Sequence, residues 1–328
     1  MGTAWPVPTL EREHPSSCEP LTLTCQTLPR KPVVLTNLSS SSSEDISSQL
    51  GAIFERYGYG QPDLFVGESS DMKSMMSKMR DAKGDLLIAF GGDGTAAAVA
   101  SIARDQNVPF IALPGGTMNM LMQGLYGSDV WQDCLIRGLA VASPRPMTAG
   151  IVRDESGQTG TFLVGCMFGK PTKMSEARED LRDGNVMDAA KGAIETMKTT
   201  SDASPIRIAL PDRDYDERSM ELINVTCPFM DGEALDPDRL DLTLFDKVTG
   251  GSTLSLGVAA LMGNIRQSQA VENVKTKQFR LRSDSAIEGL LDGEPMTFKG
   301  EVTVELDKNH GLVLAPWPAM SFPISREA

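Results

Sequence analysis

Residues 85–100 read DLLIAFGGDGTAAAVA, and this stretch decides the architecture. Leu86 to Phe90 form an apolar run of strand length. Three glycines follow within four residues, at Gly91, Gly92 and Gly94, with Asp93 among them. A helix of small residues then begins. Glycines in a strand-to-helix turn let the backbone approach another group closely. The start of the helix adds unpaired N–H groups and the positive end of its dipole, so the turn suits an anion such as a phosphate. Asp93 is suited to hold a divalent cation through water or to take a hydroxyl proton. Thr95 is suited to cap the helix or to donate to a phosphate. A tight turn with a capping threonine accounts for the same residues without a ligand. No Gly-Lys-Ser/Thr follows, so this is not a Walker A loop.

The same rhythm extends outward. PVVLTN from Pro32 reads as a short buried strand. SEDISSQLGAIFERYGY carries Ile46, Leu50, Ile53 and Phe54 at helical spacing. PDLFVG is a strand, DMKSMMSKMRDA a methionine-striped helix, and VPFIALPGG another strand and turn. NMLMQGLYG and DVWQDCLIRGL read as helices. Strands alternating with helices imply a doubly wound parallel sheet, whose ligands bind at the carboxyl ends of the strands. The polar or glycine-rich turns at 37–43, 91–95 and 114–119 all fall at such ends. In the last of these Gly115 and Gly116 form the turn, and Thr117 and Asn119 are small polar groups at the helix start. Two such turns side by side can grip a polyphosphate.

After Arg145-Pro146 the pattern changes. MTAGIVRDESGQTGTFLVGCMF reads as a hairpin, and 171–200 as one or two amphipathic helices. From 205 short alternating strands dominate: PIRIAL, MELINVT, LDLTLF, QFRLRS, AIEGLLD, EVTVELD and GLVLAP, with His310 in a turn, DKNHG. This is the pattern of an antiparallel β-sandwich. The expected division is a tail over 1–30, an α/β nucleotide-binding domain over 31–145 and a β-sandwich domain over 146–314. The segment from about 315 to 328 has the option of returning to the first domain.

Composition narrows the function. The chain has 328 residues and a net charge of −13, which argues against nucleic-acid binding. Five scattered cysteines without a CxxC pair make a disulfide framework and a zinc site unexpected. With two histidines, His14 and His310, a carboxylate is the expected general base. No apolar run reaches the roughly 18 residues of a membrane span, and the first twenty residues lack a basic region followed by an apolar core. A cytoplasmic protein, peripheral at most to a membrane, is expected. Whether a homodimer forms is left open.

GGDGT followed about twenty residues later by Pro-x-Gly-Thr-x-Asn resembles the diacylglycerol kinase catalytic-domain family. That family includes bacterial lipid kinases and sphingosine and ceramide kinases, and its superfamily includes the NAD kinases. GLLDGEPM at 289–296 resembles the family's late DGE element, and DGEALDPDRLDLTLF at 231–245 a segment before it. The resemblance runs from about 31 to 316. It implies that Gly91, Gly92, Gly94, Thr95, Gly116, Thr117 and Asn119 line ATP, together with Asn37 and, more weakly, Ser69. It implies Asp93 and Glu294 as the catalytic carboxylates, either one being the base, with Asp292 a turn former or a functional group. It implies a structural Mg²⁺ held by Asp238 and the carbonyls of Leu235 and Leu240, a turn being the alternative. The sequence departs from the family at Leu38, at Gly115 and at Thr148, which stands where an aspartate is usual.

The resulting expectation is an ATP- and Mg²⁺-dependent lipid kinase of phospholipid metabolism. It would phosphorylate a hydroxyl of diacylglycerol or a related lipid at a membrane surface. The segment 252–263 is a candidate apolar wall or simply core. Lys275, Lys277, Arg280 and Arg282 are a candidate headgroup contact or a solvated strand face. The alternatives are a soluble-metabolite kinase of the NAD kinase type and a nucleotide-binding regulatory protein.

Overall fold

Strands β1 (Pro32–Thr36), β3 (Leu86–Gly91) and β4 (Pro109–Pro114) are buried at every position. That is what the continuous apolar runs require of parallel strands covered on both faces. In the computed structural model the described residues are 31–36, 43–67, 71–116, 119–128, 130–141, 143–169, 205–211, 217–228, 238–246 and 272–316. β1 pairs in parallel with β2 (Asp63–Val66) and with β3, and β3 pairs in parallel with β4. The connecting helices are α1 (Ser43–Arg56), α2 (Met72–Ala82), α3 (Asp93–Gln106), α4 (Met120–Tyr126) and α5 (Trp131–Leu139). Met75 and Met79 of the methionine stripe are buried, which anchors α2 by one face.

The sheet does not stop at β4. The long strand β16 (Val302–Val313) lays Leu312 and Val313 parallel to Pro109 and Phe110. The rest of β16 pairs antiparallel with β5 (Arg145–Asp154) on one side and β13 (Gln278–Arg282) on the other. β13 continues to β8 (Ile206–Ala209) and β9 (Arg218–Met220), while β5 pairs with β6 (Thr159–Phe162). A second, wholly antiparallel sheet has the order β12-β11-β10-β7-β14-β15. Its strands are β7 (Gly165–Gly169), β10 (Leu222–Thr226), β11 (Leu240–Phe245), β12 (Glu272–Thr276), β14 (Ile287–Leu291) and β15 (Glu294–Phe298). Buried apolar side chains run without a break from Val33 in the first sheet to Phe298 in the second. The architecture is therefore a parallel α/β half with an antiparallel β-sandwich, as expected.

Several local expectations are corrected. EVTVELD and GLVLAP are one strand, not two joined by a turn. Ala149 pairs with Asp307 and Met147 with Gly311, so three residues of β16, 308 to 310, bulge opposite Thr148 alone. The bulge survives because its polar side chains find partners. His310, 3% exposed, lies 3.1 Å from Asp307 through Nδ1 and 3.2 Å from Arg104 Nη1 through Nε2. Arginine can only donate, so Nε2 accepts and Nδ1–H donates to Asp307. Burial holds the His310 pKa below its usual value, with Arg104 adding to that and Asp307 opposing it. MELINVT is also not one strand, because the chain leaves the first sheet after Met220 and enters the second at Leu222. β12 and β15 have too little alternation to be read from sequence. The helices expected over 171–200, the apolar segment 252–263 and the tail 1–30 lie outside the described residues.

The chain after β16 is tied back to the parallel half. Leu314 N–H donates to Phe110 O at 3.0 Å. The buried Tyr126 hydroxyl donates to Leu314 O at 3.1 Å and accepts from Ala112 N–H at 3.3 Å. Tyr126→Phe removes both bonds without changing shape and leaves a buried amide without that acceptor. It is expected to lower the unfolding free energy by about 1–3 kcal/mol in urea titrations. A loss below about 0.5 kcal/mol would show that the hydroxyl does not hold this return.

Candidate active site

The first glycine turn begins where β3 ends. Gly92 is the N-cap of α3, with the extended backbone (φ −82°, ψ −178°) that any residue adopts, so conformation alone does not demand glycine there. The position that requires glycine is Gly116 of the neighbouring turn. A Cβ added to Gly116 would lie 2.6 Å from Gly92 Cα, and Gly115 N–H donates to Gly91 O at 2.9 Å. The two turns therefore pack backbone against backbone. At Gly94 an added Cβ would meet nothing within 4 Å, so glycine there leaves open space beside the helix start. The first-turn amides of α3 lack intrahelical acceptors by construction, and the N-cap, Gly92, has no side chain to cap them. Thr95 sits three residues past the N-cap and is buried, so it is not the cap.

The second turn is braced by its own residues. Asn119, left-handed at φ +49°, precedes α4. Its Oδ1 accepts from Gly116 N–H at 2.9 Å and its Nδ2 donates to Gly116 O at 2.8 Å. Asp93 reaches across from the first turn. Its Oδ1 accepts from Leu121 N–H at 2.9 Å and its Oδ2 from Met120 N–H at 3.2 Å. The GGDGT carboxylate thus caps the helix of the other turn, a favourable place for a negative charge.

The β14–β15 hairpin closes through Asp292 (φ +46°) and Gly293 (φ +85°), the positive pair of a type I′ turn. The Asp292 carboxylate accepts three backbone amides: Leu163 N–H at 2.6 Å, Val164 N–H at 2.9 Å and Gly165 N–H at 3.0 Å. Burial pushes its pKa from 3.8 up to about 6, the three amides pull it down, and the charge of Asp93 adds to the upward push. That mutual repulsion means the hairpin stands near the first glycine turn. Glu294 is exposed at the start of β15, paired in register with Leu291.

The structure thus gathers Gly91, Gly92, Asp93, Gly94, Gly116 and Asn119, with Asp292 beside them and Glu294 on the same hairpin as Asp292. Sequence reading left Asp292 undecided. Asp-Gly between alternating strands signals a turn, but nothing local signals a carboxylate that accepts three backbone amides. Asn37, Ser69, Thr117 and Leu235 lie outside the described residues. Asp238, just before β11, pairs with Lys308 Nζ at 2.6 Å, which holds its carboxyl below the usual range. Leu240 is buried in β11 opposite Thr276. No cluster of three or more metal-ligating side chains occurs among the described residues. Thr148 is buried in β5, opposite the bulge. Arg280 and Arg282 both pair with Glu301, and Arg282 also with Glu217, which is the solvated-face alternative for that basic stretch.

Residues 31–149 match the family model of the diacylglycerol kinase catalytic domain. Solved structures share the fold over nearly the whole chain. One is a diacylglycerol kinase from Bacillus anthracis, with TM-score 0.59 and 15% identity over 90% of this chain and 100% of that one. A second from the same organism, assigned as a diacylglycerol kinase, has TM-score 0.61 and 18% identity over 88% of this chain and 98% of that one. An NAD kinase from Archaeoglobus fulgidus in complex with ATP has TM-score 0.51 and 10% identity over 88% of this chain and 95% of that one. At these identities the likeness is one of fold. No curated protein matches the sequence.

Two outcomes follow for stability. Gly116→Ala, which drives a methyl into the Gly92 backbone, is expected to cost about 1–3 kcal/mol, whereas Gly94→Ala costs nothing and gains up to about 1 kcal/mol. Thermal melts of the two variants check this, and equal costs would refute the packed pair of turns. The raised pKa of Asp292 means the folded state holds this proton more tightly than the unfolded chain. Its contribution to stability is full below pH 3.8 and is lost as pH rises through about 6. The stability of the wild type relative to Asp292→Asn should therefore fall by on the order of 2–3 kcal/mol between pH 4 and pH 7 in urea titrations.

Proposed function

We propose that the protein is an ATP- and Mg²⁺-dependent lipid kinase that transfers the γ-phosphate to a hydroxyl of diacylglycerol or a related lipid. The single observation that supports this reading most is the pair of glycine turns in backbone contact beside a carboxylate-bearing hairpin. Three features support a polyphosphate cradle: the N-cap of α3 is a glycine with no capping side chain, a Cβ at Gly94 would meet nothing within 4 Å, and Gly116 has no room for a side chain. Phosphoryl transfer depends on positioning and charge neutralisation, with one base for the attacking hydroxyl.

Within this reading the amides of 93–95 take phosphate oxygens. Asp93 fixes the second turn against the first by holding Met120 and Leu121. Both its oxygens are engaged there, which favours Glu294 as the group that accepts the proton of the lipid hydroxyl. Mg²⁺, where the carboxylates hold it through water, would neutralise phosphate charge. No helix among the described residues is long and apolar enough to cross a membrane, so the reading has the lipid met at the membrane surface.

A second reading, a nucleotide-binding regulatory protein, is favoured by the same engagement of Asp93 and by the buried Thr148. An assay separates the readings. Purified protein is given Mg²⁺ and ATP with mixed micelles of diacylglycerol, monoacylglycerol, sphingosine or ceramide, and separately with NAD. The lipid kinase consumes ATP only with a lipid, and Glu294→Gln lowers kcat by about 10²-fold or more. Gly94→Ala, although stably folded, weakens ATP binding by about tenfold or more through the filled space. ATP binding without turnover would favour the regulator, and turnover with NAD alone would overturn the lipid reading.

A further inference from the structure

Residues 163–165 form the corner at which the chain leaves β6 in the first sheet for β7 in the second. Leu163 and Val164 are 2% and 7% exposed, so their amides are cut off from water. Buried donors without an acceptor cost about 1–3 kcal/mol each. Three successive N–H groups pointing one way make a backbone concavity suited to an anion. Here the anion belongs to the protein itself. The Asp292 carboxylate accepts all three amides, and Asp292 N–H donates back to Gly165 O at 2.9 Å. An isosteric asparagine cannot do this, because its NH₂ would face one of the donors.

Asp292 is also the first residue of the turn that joins β14 to β15, and Glu294 follows two residues later. We propose that Asp292 is a positioning residue, an internal anion that clamps the β14–β15 hairpin to the 163–165 corner and so sets where Glu294 stands against the first glycine turn. The purpose assigned to the clamp rests on the kinase reading above. The clamp itself does not.

Four proteins test it: wild type, Asp292→Asn, Glu294→Gln and the double variant. Hydrogen exchange followed by mass spectrometry reads the clamp without any activity. In Asp292→Asn the peptide covering 163–165 should exchange at least about tenfold faster, with β3 and β4 unchanged. In the lipid kinase assay Asp292→Asn should lose about 10²-fold in kcat, with KM for ATP changed by less than about threefold. The double variant should be no slower than Glu294→Gln, because a residue acting through Glu294 has nothing further to remove. Unaltered exchange would overturn the clamp. Losses that multiply in the double variant would overturn the positioning role. A wild type without lipid turnover fails the kinase reading instead and removes the role with it, and exchange alone then decides the clamp. If Asp292→Asn does not fold, Asp292→Ser, which keeps one acceptor oxygen, carries the same comparison.

Discussion

The pairing of two residues at the end of β16 with the start of β4 joins everything else. Leu312 and Val313 join the parallel strands to the antiparallel strands β5, β13, β8 and β9 in one continuous sheet. The return of Leu314 beneath Tyr126 holds the same junction. The β14–β15 hairpin lies in the second sheet and is tied to the first at the 163–165 corner, where β6 passes into β7. The bulge at 308–310 lies between the segment of β16 that faces β4 and the segment flanked by β5 and β13. Its cost is offset by the Arg104–His310–Asp307 chain, which ties the end of α3 to the same strand.

Carboxylates in the cleft serve first as structural acceptors. Asp93 takes two amides of α4, and Asp292 takes three amides of the corner between sheets. Each stands in for an acceptor that secondary structure could not supply, because helix starts and sheet corners both leave N–H groups unpaired. Burial raises the pKa of Asp292, and the charge of Asp93 adds to that push. In the proposed kinase reading, carboxylates beside a phosphate cradle would hold a cation between them, the electrostatic logic of phosphoryl transfer.

What the sequence determined by itself was periodic and local. Apolar runs of strand length alternating with amphipathic helices dictated the parallel half, and the glycine turns at Gly91–Gly94 and Gly115–Gly116 marked the carboxyl ends of its strands. Alternation after residue 205 dictated the antiparallel half. The tertiary structure decided the rest, because it turned on partners far apart in the chain. It made EVTVELD and GLVLAP one strand, since His310, the buried residue of the bulge, is held between Arg104 and Asp307. It assigned Asn119 to brace its own turn and Asp93 to cap the helix of the next one. It made Asp292 a half-buried acceptor, because Leu163 to Gly165, about 130 residues earlier, turn their amides toward it. Short-range spacing carries no trace of such long-range hydrogen bonds, whereas periodicity carries burial directly.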